Sequence, residues 1–131
     1  MRSAEVDADI AVVGAGVVGL AVAARLARTA SVVVVERNEA YGRETSAHNT
    51  GIVHAGMFYE TSSLKHRFCV EGNPLLHEWA DAHDVPLLRC GKLIVAVTEA
   101  DLDGLERIEA RGAANGVPEM RRLTLEEARD L

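Results

Sequence analysis

Aromatic residues make up only 4% of the 131-residue chain, so apolar burial must rest on Val, Leu, Ile and Ala. Basic clusters are also missing. Lys and Arg number 14 against 20 Asp and Glu, for a formal charge of −6. Binding a phosphate backbone needs a basic surface, which argues against a nucleic-acid partner. No apolar run reaches the ~20 residues that span a bilayer. The run from Ile10 to Ala24 has fifteen residues, holds three glycines and meets Arg25 and Arg28, so no transmembrane segment is expected. Only two cysteines, Cys69 and Cys90, are present. The opening MRSAEVDAD carries acids where a secretion signal needs positive charge. Two buried free thiols in a reducing, cytoplasmic compartment are therefore expected rather than a disulfide. Neither C-x-x-C nor H-E-x-x-H occurs among the five histidines (48, 54, 66, 77 and 83), which disfavours a metal site.

What remains has the size and polarity of one soluble globular domain. Asp9 to Val13 and Val32 to Val35 are short β-branched runs, continuous rather than alternating, as in parallel strands buried on both faces. Between them Val17 to Arg28 places Leu20, Ala23, Ala24 and Ala27 on one helical face. Strand, helix and strand within 30 residues make a βαβ unit with a right-handed crossover. The fold class is α/β.

Asn38 to Thr50 reads as an irregular loop. Ser62 or Ser63 caps a helix toward His83, with Leu64, Phe68, Leu75, Leu76 and Trp79 as its buried side. Gly72-Asn73-Pro74 should interrupt it, because Pro74 has no amide donor and disfavours α geometry at Asn73. Leu87 to Val97 reads as one or two strands with a glycine break. Thr98 and Asp101 begin a further helix that ends near Asn115-Gly116. Thr124 and Glu127 have capping-box spacing only a few residues before Leu131, which suggests a portion of a longer protein.

Gly14-Ala15-Gly16-Val17-Val18-Gly19 fits G-x-G-x-x-G, and its setting gives the match weight. It follows a strand, opens a helix, and precedes a second strand that leads to Glu36, 17 residues past Gly19. Gly14 permits the tight turn. Gly16 clears the backbone for a pyrophosphate, and Gly19 lets helix and strand pack closely. The helix N-terminus offers free N–H groups to the anion. Glu36 suits the adenosine ribose hydroxyls and repels a 2′-phosphate, although Arg37 beside it weakens that discrimination. Both NAD and FAD use such a turn.

The segment after Glu36 separates the two. With ETSAHNTGIVHAG, SLKHRFCVEGN (Ser63 to Asn73), CGKLIVAV (Cys90 to Val97) and AANGV (Ala113 to Val117), the chain resembles the FAD-dependent oxidoreductases of the D-amino-acid oxidase and glycine oxidase superfamily. Within that group it looks most like the L-2-hydroxyglutarate dehydrogenases, over Asp9 to Leu131. The resemblance implies a Rossmann-type βαβ opening a doubly wound FAD-binding domain at residues 1–85. The start of a mixed-sheet substrate domain would follow at 86–131.

It further implies that FAD is the cofactor, held by Gly14, Ala15, Gly16, Val17, Gly19, Glu36 and Arg37. Thr45, Ser46 and Asn49 would approach its pyrophosphate and ribityl chain, with Gly51, Ile52 and Val53 beside the isoalloxazine ring. Glycines and small side chains let main-chain amides reach the flavin, and Ile52 and Val53 supply an apolar wall. His54 would face the substrate as a base or an orienting group, whereas His48 reads as structural within the loop. Lys65 and Arg67 suit a dicarboxylate but also suit solvated helix positions.

The activity so implied is oxidation of a 2-hydroxy acid, foremost L-2-hydroxyglutarate to 2-oxoglutarate, by hydride transfer to flavin N5. A quinone or oxygen would be the electron acceptor, and peripheral contact with an inner membrane is allowed. The competing readings are an amine or amino-acid oxidase of the same superfamily and a non-catalytic FAD-binding fragment. A plain NAD domain has no use for Asn38 to Gly56.

Overall fold

A computed structural model describes residues 7–131, so most of the acidic opening segment lies outside the described residues. The chain divides into two compact units, Met1–Ile52 and Val53–Leu131.

The first unit is the expected βαβ. β1 (Ile10–Val13) pairs in parallel with β2 (Val32–Val35), Ile10 opposite Val32 and Val13 opposite Val35, with α1 (Val17–Leu26) between them in sequence. Alternation decides what each strand buries. Ile10 and Val12 are half-buried, while Ala11 and Val13 are exposed, Val13 at 86%. The strands are thus not buried on both faces: α1 covers one side of a two-stranded sheet, and the other side is open. The expected helix face is also narrower than its periodicity suggests. Ala23 alone is buried, and Leu20, Ala24 and Ala27 are exposed, since two strands are too few to cover a wide stripe. Asp9 fastens the start of β1 to Ser31, accepting from its amide (2.8 Å) and hydroxyl (2.9 Å).

The second unit holds α2 (Leu64–Ala82), α3 (Glu99–Ala114) and α4 (Leu125–Arg129). Ser63, not Ser62, caps α2, accepting from the His66 amide. Helix α2 is continuous from Leu64 to Ala82 with Pro74 inside it, so the chain does not restart the helix there. The expected buried side of α2 is also reversed. Leu64, Phe68, Leu75, Leu76 and Trp79 are exposed, while His66, Val70, Asn73 and His77 are half-buried and Ala80 is buried. Spacings of three and four put these five on one stripe, and His66 and Asn73 are bonded on it, to Asn115 and to the His54 carbonyl.

Thr98 is the N-cap of α3 as expected, forming a capping box with Asp101, and α4 begins with the expected capping box of Thr124 and Glu127. Leu87 to Val97 forms no strand among the described residues. A strand exists only where a partner accepts its bonds, and here Ile94–Val97 instead flanks α3 across an open groove of about 340 Å³ lined by Leu105 and Ile108. Both cysteines are free thiols as expected, but Cys69 is half-buried and Cys90 exposed, so neither is a core residue.

Asn115, only 4% exposed, fastens the end of α3 to the loop before α2. Its amide donates to the carbonyls of Gly56 and Tyr59, both at 2.9 Å, and its side-chain oxygen accepts from the Thr61 hydroxyl at 2.7 Å. His66 adds a fourth link. Its Nδ1 accepts from the Ser62 amide (3.1 Å), so the neutral ring carries its proton on Nε2, which donates to the Asn115 carbonyl (3.1 Å). That pair of bonds holds Ser62 at φ +69°, a left-handed conformation rare for serine.

Candidate functional site

The glycine turn joins β1 to α1 and is tied at several points within the first unit. Gly14, at φ +99°, donates to the carbonyl of Val35 at 2.8 Å. A Cβ on Gly19 would stand 2.0 Å from the Gly14 carbonyl oxygen and 3.6 Å from Val12 Cγ1. Gly19 is therefore where helix and turn touch. A Cβ on Gly16 would stand 3.2 Å from the Ser46 hydroxyl.

The N–H groups of this turn are not all free, contrary to the expectation for an anion cradle. Ala15 donates to Glu36 Oε2 at 2.8 Å, and Val17 donates to Ser46 Oγ at 2.9 Å. Gly16 is the N-cap of α1 and has no side chain to cap with, so Ser46, 29 positions past Val17, takes that role. Ser46 sits in the short 3₁₀ turn Thr45–Ala47, where the Asn49 amide donates to its carbonyl (2.9 Å) while Asn49 Oδ1 accepts from the Gly51 amide (2.8 Å). His48 has the structural role expected of it, donating from Nδ1 to the Glu44 carbonyl at 2.7 Å.

The loop after β2 folds back on the turn, since the Gly42 amide donates to the Ala15 carbonyl at 2.9 Å. The result is an open pocket of about 190 Å³. It brings together the expected Gly14, Gly16, Glu36, Thr45 and Ser46 with Asn38, Gly42, Arg43 and Glu44, which the sequence did not single out. Gly42 could have been found: it lies in a loop with no periodicity and adopts φ +69°. Asn38 and Glu44 gave no such signal. Arg37 does not line the pocket, because its guanidinium is engaged by the Glu44 carboxylate.

Glu36 is held at more than one point. Besides the Ala15 amide it accepts from the backbone and side-chain amides of Asn38, each at 2.9 Å. Those donors, the Asn38 backbone amide first and the Ala15 amide second, hold its carboxyl below the ordinary glutamate value of 4.5 against a smaller opposing effect of desolvation. A carboxylate depressed in the folded state stabilises it above the unfolded value, and the contribution fades as pH falls through the folded one. The turn is therefore expected to hold from neutral pH down to about 4.5 and loosen below it. Acid titration followed by the Ala15 and Asn38 amide resonances should show one shared midpoint below 4.5, absent in Glu36→Gln. Independent midpoints would mean that the carboxylate does not join the two.

Ile52 is exposed and closes the first unit, while Val53 and His54 belong to the second. His54 is exposed, and its Nδ1 lies 3.4 Å from the Tyr59 hydroxyl, with the rings tilted by 43°. Its carbonyl accepts from Asn73 at 3.3 Å. Lys65 Nζ lies over the Tyr59 ring at 5.9 Å, and Lys92 Nζ over the Phe58 ring at 4.7 Å. No group of three or more His, Cys, Asp or Glu residues able to hold a metal occurs among the described residues.

The family described as "FAD dependent oxidoreductase" (DAO) matches residues 9–131, nearly the whole chain. The chain belongs to this family of FAD-dependent oxidoreductases. Of the glycines that line the pocket, Gly16 would bring a Cβ to 3.2 Å from the Ser46 hydroxyl, while Gly14 and Gly42 face open space, so bare main chain is exposed there, which fits a dinucleotide lying against it. Among curated proteins, this DAO chain is 37% identical over 130 residues to the mitochondrial L-2-hydroxyglutarate dehydrogenase of Homo sapiens, covering 96% of the chain and 28% of the relative. It is 40% identical over 116 residues to that of Arabidopsis thaliana (88% and 24%). To that of Nematostella vectensis it is 38% identical over 115 residues (86% and 25%). The chain spans about a quarter of the length of these relatives. No helix among the described residues of the oxidoreductase chain is long and apolar enough to cross a membrane.

Proposed function

We propose that this chain carries the dinucleotide-cradling part of a flavoenzyme that oxidises L-2-hydroxyglutarate to 2-oxoglutarate. The observation that carries the reading is the convergence of Gly14, Gly16, Glu36 and Ser46 on one pocket beside the opening of α1. The named relatives supply the substrate. On this reading Gly14 to Gly19 and Ser46 receive the diphosphate, Glu36 the ribose, and Thr45 and Asn49 the adjoining chain. Gly51, Ile52 and Val53 run beside the isoalloxazine, and His54 serves the substrate side. Arg37 acts indirectly, by holding Glu44 at the pocket wall. Bound FAD supplies the hydride acceptor.

The same reading makes residues 1–85 part of a doubly wound FAD domain and 86–131 the opening of a mixed-sheet substrate domain. Electrons leave to a quinone or to oxygen, and the protein is cytoplasmic with peripheral contact at the inner membrane.

The test begins with flavin. The chain, produced with FAD and passed through gel filtration, is expected to keep the visible absorption of an oxidised flavin; a folded but colourless product would overturn the reading. Turnover of the flavin-loaded protein with L-2-hydroxyglutarate, glycine and sarcosine then separates hydroxy-acid from amine oxidation, and turnover with none of them marks a binding piece. Ser46→Ala, which strips the Val17 amide of its acceptor, should weaken flavin retention about tenfold while leaving the fold unchanged.

A further inference from the structure

His54 was expected to act as a base or as an orienting group, and its surroundings choose between them. The Tyr59 hydroxyl is the polar side-chain group at His54 Nδ1, and both residues are held from behind. The Tyr59 carbonyl accepts from buried Asn115 at 2.9 Å, the Tyr59 amide donates to Gly56 O at 3.3 Å, and the His54 carbonyl accepts from Asn73. The pairing is thus built into the loop and does not depend on two free side chains meeting.

The direction of the bond follows from its chemistry. A phenol hydroxyl is a better donor than a neutral imidazole N–H, and a ring nitrogen lone pair is a better acceptor than a phenol oxygen. The Lys65 ammonium over the Tyr59 ring draws electron density from it and strengthens the hydroxyl as a donor further. A ring whose Nδ1 accepts must carry its proton on Nε2.

We propose that Tyr59 fixes His54 as the Nε2–H tautomer, so that His54 presents a hydrogen-bond donor to the substrate's carboxylate or 2-oxygen and is not the base. The bond itself stands on the geometry of the second unit. The role toward substrate rests on the function proposed above. Tyr59 is a positioning residue here, acting through His54.

Long-range ¹H–¹⁵N correlation on the 131-residue chain, at a pH where the ring is neutral, reads the tautomer directly. The expected result is an unprotonated Nδ1 and a protonated Nε2 at His54, with Tyr59→Phe moving both shifts toward the average of mixed tautomers. A protonated Nδ1, or shifts that Tyr59→Phe leaves unmoved, would overturn the assignment. The role is tested by substitution in the flavin-loaded protein. His54→Gln keeps a donor at similar reach and should retain turnover within about tenfold, whereas loss of a true base costs on the order of 10²–10⁴. A loss in His54→Gln as large as in His54→Phe would restore the base. Failure to take up flavin sinks the proposed function and leaves the tautomer result standing, so the two failures are distinguishable.

Discussion

Gly19→Ala is expected to abolish flavin retention. The added methyl would sit 2.0 Å from the Gly14 carbonyl oxygen, and that oxygen is backbone of the same turn, so no side chain can swing aside. Either α1 lifts from β1 or the turn opens. Overpacking of this kind costs about 3 kcal/mol, which lowers the fraction of chains with an intact turn about a hundredfold. Gly14→Ala makes the useful comparison. Nothing lies within 4 Å of its added Cβ, and only the φ of +99° opposes it. Its penalty should therefore be smaller, on the order of 1–3 kcal/mol. Flavin fluorescence recovered in the filtrate after equilibration measures both. If Gly14→Ala proved the more damaging, backbone strain rather than close packing would govern the turn.

The second large effect is expected far from any nucleotide. Asn115→Ala leaves the buried Gly56 carbonyl and the half-buried Tyr59 carbonyl without their donor, and removes the acceptor of the exposed Thr61 hydroxyl. Unpaired buried groups cost more than the bonds gave, so a loss of about 3 kcal/mol in the stability of the second unit is expected. Trp79, the chain's single tryptophan, lies in that unit and reports its denaturant unfolding. Asn115→Asp should be no better, because it turns a donor toward two carbonyls into an acceptor. A transition within about 0.5 kcal/mol of the wild type would show that the loop holds without this residue.

What could be read from the sequence was whatever is settled locally. The two valine-rich strands, the glycine turn and the helix starts at Ser63, Thr98 and Thr124 depend on residues a few positions apart, and the structure has them all. Expectations failed where a distant partner decides. Leu87 to Val97 has strand composition but no neighbour to pair with among the described residues. In α2 the large apolar residues suggested the inner face, yet the bonded side chains of His66 and Asn73 turn the opposite stripe inward. At the site, glycine spacing located the cradle. The carboxylate of Glu36 on the Ala15 amide and the hydroxyl of Ser46 on the Val17 amide span 21 and 29 positions, separations that no periodicity encodes. Asn115 was legible only as a helix end.

Those two contacts also bear on how a ligand could come and go. Protein oxygens already accept from the Ala15 and Val17 amides, so on the function proposed above a diphosphate would meet a turn preshaped by a carboxylate and a hydroxyl, not a row of bare donors. Its departure would leave those protein contacts to keep the start of the first helix wound.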